Sequence, residues 1–289
     1  MSTEPDFAPR ESGARPAAAA IAVEADGASG EVADRGTGIA EQSLAAAGRI
    51  GVQVRAGERR LVWDLPLRAF HWLFAASILA SWGTAKLGFT WMAWHIRLGY
   101  WMMGLLLFRI VWGLIGPRHA RFASFLKGPR AVWRYAKGLA GLGEAVETVG
   151  HNPLGGLMVI VMLLLVAFQV STGLFATDDI AYTGPFNPAV SNDLAERLTA
   201  FHHWNFNLIW AAIALHVGAI AYYAFVKRQN LVPAMLHGWK PAEAVPEGEA
   251  ITSSELWKAL AVMIVTAALV YGILSIAPSP APADSLNFN

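Results

Sequence analysis

The stretch FHHWNFNLIWAAIALH, residues 201–216, sits inside an apolar run that continues to Phe225 and stops before Lys227. It holds His202 and His216 fourteen positions apart. On an α-helix that spacing is about 3.9 turns and about 21 Å of rise, so both imidazoles leave nearly one face. A hydrocarbon core is about 30 Å thick. One membrane helix therefore offers a histidine to each half of a bilayer. Imidazole inside a membrane is costly and functional by default, and a haem iron with an axial position to fill is its natural partner.

Composition places the whole chain in the same solvent. It is 55% hydrophobic with 15% charged residues, where a soluble domain carries about a quarter, and its mean hydropathy is +0.41. It reads as an integral membrane protein. The net charge of +1 gives no bias toward nucleic acid. With no cysteine, disulfides, iron–sulfur clusters, thiolate zinc sites and c-type haem attachment are excluded. Twelve Trp fit interfacial anchoring, and the eight His are left as the side chains suited to a metal.

Residues 1–55 have no sustained apolar run and read as a disordered, uncleaved cytoplasmic tail. Five spans follow, at about 68–87, 94–115, 153–175, 199–225 and 256–277, in the region after Arg55. Pro66 suits the approach to the first span, and Gly116-Pro117 stops the second. Residues 117–150 form a basic loop in which 129–142 reads as a surface amphipathic helix. The N-terminal flank, this loop and the 227–255 loop hold most Lys and Arg; the other side has Lys86 and Arg197. That places the N-terminus in the cytoplasm and the C-terminus outside.

Topology then pairs the histidines by depth. His71 and His216 fall near the cytoplasmic end, and His95 and His202 near the outer end. His203, thirteen positions before His216, returns close to the same face and competes with His202. Each pair makes a bis-imidazole site between facing helices of a four-helix core. With both axial positions filled, electron transfer is favoured over oxygen binding. Haem propionates call for cations: Arg97 and Arg109 are candidates, each reading equally as a snorkelling side chain. His119 is expected to be solvated in the basic loop, and His237 has no assigned role. His151 is either a residue at a helix start or part of a quinone site, and Asp64 reads as a cap that could also move protons. Gln169 and Thr172 are expected to bond to neighbouring helices. The fifth span has small residues, Ala259, Ala261, Ala267, Ala268 and Gly272, suited to a partner or a second copy of the chain in a homodimer. It reads equally as a lipid-facing helix.

Four blocks, VWDLPLRAFHW, HIRLGYWMMGLLLFRIVWGLIGPRHARF, GHNPLGGLMV and FHHWNFNLIWAAIALHV, resemble in this order the bacterial cytochrome b561 family, in the branch shared with the cytochrome b subunit of nickel–iron hydrogenase. The likeness covers about 60–240. It implies a four-helix di-haem domain over 56–240 in the cytoplasmic membrane, with two haem b, passing electrons between the quinone pool (ubiquinone or menaquinone) and a partner redox protein. It implies His71, His95, His202 and His216 as axial ligands, and it favours His202 over His203. The tail at 1–55, the linker and fifth span at 241–289, and His203 itself depart from the family pattern. The implied function is electron transfer in a respiratory chain, either as a free-standing quinol oxidoreductase or as the membrane anchor of a hydrogenase, a dehydrogenase or a cytochrome c partner. A non-redox scaffold is the alternative of another class. A transporter would need paired broken helices, which the spans lack.

Overall fold

The computed structural model describes residues 57–143 and 148–278. The stretch expected to be a tail, 1–55, lies outside them, as does the Pro/Ala-rich end beyond 278. The order is β1 (Arg59–Leu61), α1 (Leu65–Lys86), α2 (Phe89–Ile115), α3 (Phe122–Phe125), α4 (Pro129–Leu139), α5 (Pro153–Gly173), α6 (Asn192–Phe225), α7 (Val232–His237), β2 (Trp239–Pro241) and α8 (Leu256–Ser275). The chain is an all-α membrane helix bundle. α2, α5, α6 and α8 are each long and apolar enough to cross a membrane.

α1 falls short of that apolarity although its 22 residues reach about 33 Å. Its polar groups are turned to partners. Ser77 Oγ donates to Leu73 O at 2.7 Å and accepts from Trp101 Nε1 at 3.0 Å, and Thr84 Oγ1 bonds to Ala80 O at 2.9 Å. Polar atoms satisfied this way can sit at membrane depth. α1 begins where Asp64 accepts the Leu67 N–H at 2.9 Å, with Pro66 in the first turn. α5 begins in the same way at Asn152, which accepts the Gly155 N–H at 2.7 Å ahead of Pro153. α6 starts at Asn192, earlier than its apolar run, because Ser191 caps it. Its first two turns are polar and its 34 residues reach about 51 Å.

α1 packs along α2, α5 along α6, and α2 touches α5. α8 lies on α2 and α1 through Ala259, Val262 and Thr266, with Val270 against Gly104. That stripe faces the bundle. Ala261, Ala267, Ala268 and Gly272 are exposed.

One end of the bundle gathers the basic segments. Residues 117–125 fold back under α2, where a Cβ on Gly113 would strike the Phe122 ring and one on Gly156 would strike Phe125. The chain after α6, expected to be an exposed loop, runs instead across this basic end as a strap. β2 pairs antiparallel with β1, Arg60 opposite Lys240. Lys240 Nζ donates to Val149 O at 2.7 Å, Arg118 to Gly248 O at 2.6 Å, and Ile251 N to Leu61 O at 2.9 Å. Val62 and Val245 are fully buried beneath it.

The strap turns at Gly238, whose φ is +91° and whose N–H and O serve Ala234, Val62 and Trp63. A Cβ there would stand 2.6 Å from Trp63 O. Gly238→Ala is therefore expected to cost about 1–3 kcal/mol, read as a lowered thermal midpoint of the purified protein. An unchanged midpoint would mean that the strap does not depend on this turn.

Candidate functional site: two imidazole pairs

The two depth-matched pairs form. His95 and His202 have ring centres 6.0 Å apart, with planes at 80°. His71 and His216 have ring centres 6.3 Å apart, at 55°. Two imidazoles sharing one metal each contribute a bond of about 2 Å and about 1.2 Å from nitrogen to ring centre, giving about 6.4 Å in all. Both separations fit one iron between the rings.

The pair at the far end from the strap is also set in its tautomers. His95 Nδ1 lies 2.9 Å from Ser81 O, and His202 Nδ1 lies 2.9 Å from Gln169 O. Each Nδ1–H donates to a carbonyl, which leaves Nε2 as the nitrogen with the free lone pair. Thr172 Oγ1 stands 3.3 Å from His202 Nδ1, and Asn205 Nδ2 donates to Gln169 Oε1 at 2.7 Å. The interhelical bonding expected of Gln169 and Thr172 is thus made to the helix that carries His202. Gly173 leaves room for that ring: a Cβ there would lie 2.9 Å from His202 Cε1. His203 is exposed on the next position, its ring centre 6.2 Å from that of His202.

At the basic end His71 Nδ1 is buried with no hydrogen-bond partner among the described residues. The ring meets Trp72 edge-on at 5.0 Å. Below it lies a polar cluster under the strap. His151 packs edge-on against Trp63 at 4.7 Å and against Phe125 at 4.7 Å, and its buried Nδ1 also has no partner. Burial, aided by the charges of Arg109 and its other cationic neighbours, pushes His151 down to about 3, so the ring is neutral at ordinary pH.

His119 was expected to be solvated; it is 6% exposed, with Nε2 2.8 Å from Glu249 O. The reason is the strap, which covers the turn that carries it. The two candidate propionate partners diverge. Arg97 is exposed over the Trp94 ring at 4.9 Å. Arg109 is 2% exposed, donates to Ala120 O at 3.1 Å and lies over the Phe122 ring at 4.6 Å. It does not snorkel. The bond from Trp112 Nε1 to Asp64 Oδ1, at 2.9 Å, and the burial of Lys240 are further features of this end. The charged, aromatic WD and IGPRHARF segments were their only trace in the sequence.

The family model for prokaryotic cytochrome b561 matches residues 62–238, which hold all four paired histidines. The chain belongs to that family. As a cytochrome b561 it is a multi-pass membrane protein that binds haem b and transfers electrons. Among its relatives is the probable Ni/Fe-hydrogenase B-type cytochrome subunit of Azotobacter chroococcum mcd 1, 24% identical over 221 residues, covering 65% of this chain and 91% of the relative. The corresponding protein of Azotobacter vinelandii is 24% identical over 227 residues, with the same two coverages, 65% and 91%. No solved structure gives a significant match. Most of the strap and all of α8 lie beyond the matched cytochrome b561 segment.

Proposed function

We propose that this cytochrome b561 holds two haem b groups, one between His71 and His216 and one between His95 and His202, and moves electrons across the cytoplasmic membrane between a quinone and a partner redox protein. The observation that carries this reading is the pair of imidazole separations, 6.3 and 6.0 Å, at two depths of one bundle. When bound, haem b supplies a one-electron couple with no open coordination position. The chain does the rest. Ser81 and Gln169 carbonyls orient the far-end rings, and α6 holds one ligand of each pair at a fixed spacing. Arg97 and Arg109 are assigned to the propionate side, Arg97 at the far end and Arg109 toward the basic end. Pyridine haemochrome analysis should count two haems per chain, with two b-type components in a redox titration. A single component would remove one of the pairs.

The basic end is assigned to the cytoplasm, with the N-terminal residues on that side. Its buried cluster is the quinone site in this reading, with His151 offering a neutral ring nitrogen that has no hydrogen-bond partner among the described residues. His151→Ala is expected to slow ubiquinone or menaquinone reduction about tenfold or more with both haems retained. Unchanged turnover would take His151 out of the site. The relatives' names favour a complex with a hydrogenase-like enzyme over a free-standing quinol oxidoreductase or a cytochrome c partner. Co-purification of a large redox enzyme with the tagged chain separates these, and the same experiment reports a homodimer through the exposed face of α8.

A further inference from the structure

At the basic end the first turn of α1 and the end of α2 meet on one carboxyl group. Asp64 is 0% exposed. Its Oδ1 takes both available donors, the Leu67 N–H at 2.9 Å and the Trp112 indole N–H at 2.9 Å. Its Oδ2 is buried and has no hydrogen-bond partner among the described residues.

Arg109 is the charged side chain that bears on it, and the other charged and titratable groups of this end belong to the neighbouring elements. Arg68 of α1 donates to Trp63 O at 3.2 Å and to Leu236 O. Arg109 of α2 donates to Ala120 O, and His119 of the 118–120 turn bonds to Glu249 O. His151 precedes α5, and Lys240 of the strap donates to Val149 O. No ion pair to Asp64 forms among the described residues. An ionised carboxylate here would keep one oxygen without solvent or donor, which is costly in a buried site. A neutral acid resolves this: Oδ1 is the double acceptor and Oδ2 the hydroxyl, a donor left free for a guest acceptor. Burial pushes this carboxyl up from its ordinary range, against the Leu67 and Trp112 hydrogen bonds and the Arg109 charge.

We propose that Asp64 holds the exchangeable proton of the basic end and gives it to the quinone as electrons arrive. This rests on the quinone reading above. Reducing one quinone to quinol takes two electrons and two protons. His71 and His216 would hold the haem b that supplies the electrons one at a time. Asp64 supplies one proton: its Oδ2–H bond breaks as a quinol O–H bond forms. The carboxylate left behind is met by the Leu67 N–H, the Trp112 N–H and the nearby Arg109. The second proton, and the one that restores Asp64, come from the aqueous side. Quinol oxidation runs the same bonds in reverse.

The test uses the haem-loaded full chain and a short-chain ubiquinone analogue. In Asp64→Asn, Oδ1 still accepts both hydrogen bonds and the proton is gone. Haem content and the haem spectral shift on binding the analogue are expected to match wild type. Quinone reduction should fall about 10²-fold and lose its pH dependence. Asp64→Glu should recover most of the rate. Independently of turnover, redox-difference infrared spectra of wild type should show a protonated-carboxyl C=O band, shifted in D2O and absent from Asp64→Asn. An Asp64→Asn protein with wild-type rate and pH profile, or a wild type without that band, overturns the assignment of Asp64. A wild type that passes no electrons to the analogue overturns the quinone reading itself, a different result from an Asp64→Asn variant that matches an active wild type.

Discussion

His216→Ala is expected to leave one haem per chain where wild type holds two. The imidazole of His216 faces His71 with ring centres 6.3 Å apart, and one of the two axial ligands of the proposed haem at the basic end would go with it. The helix itself should survive. His216 lies more than two turns inside the C-terminal end of the 34-residue α6, alanine is the best helix former, and the ring makes no hydrogen bond to another residue among those described. Loss of an outer partner of a ligand costs about 10–100-fold in metal affinity, so loss of the ligand itself should exceed about 100-fold. Pyridine haemochrome quantification would show the stoichiometry halved, and the reduced spectrum of the native protein would keep only the α-band of the far-end site. Retention of both haems at full strength would end the two-site account.

His202→Ala and His203→Ala should differ as sharply, though the residues are adjacent. His202 faces His95 at 6.0 Å and is fixed by the Gln169 carbonyl at 2.9 Å. His203 is exposed on the next position, about 100° further around the helix. His202→Ala is expected to lose the far-end haem, and His203→Ala to keep it with the same reduced spectrum. The measurement is again the haem-to-protein ratio, with a redox titration to show which component has gone. The opposite pattern would hand the outer ligand to His203 and require α6 to turn from the orientation described above.

The histidine pairs were readable from the sequence because two plain signals fix them. Apolar runs set the spans, and the placement of Lys and Arg sets their direction, so depth follows by counting along each helix. The polar partners Gln169 and Thr172 were readable for the same reason: a polar side chain in an apolar run has few places to go. The strap was not. Residues 238–255 are rich in Pro, Gly, Glu and Ala and have no apolar period, so nothing in them announced that they bind through backbone atoms. From Lys240 to Ile251 the strap's contacts go to Val149, Arg60, Arg118, His119 and Leu61. His119 was misplaced as a consequence, since a basic loop looks solvated until something covers it. Arg109 looked able to snorkel because Gly113 and Pro117 are close in sequence. It stays inside because the 117–125 segment folds back and offers it the Ala120 carbonyl and the Phe122 face. α8 was ambiguous for another reason: its small residues lie all round it, and only the contacts at Ala259, Val262 and Thr266 pick out the bound side.

The pairing of β1 with β2 ties residue 59 to residue 241. Every helix that bears a ligand is complete by residue 225, some way ahead of that partner strand. During synthesis, then, the four imidazoles exist before the fastening that seals the basic end.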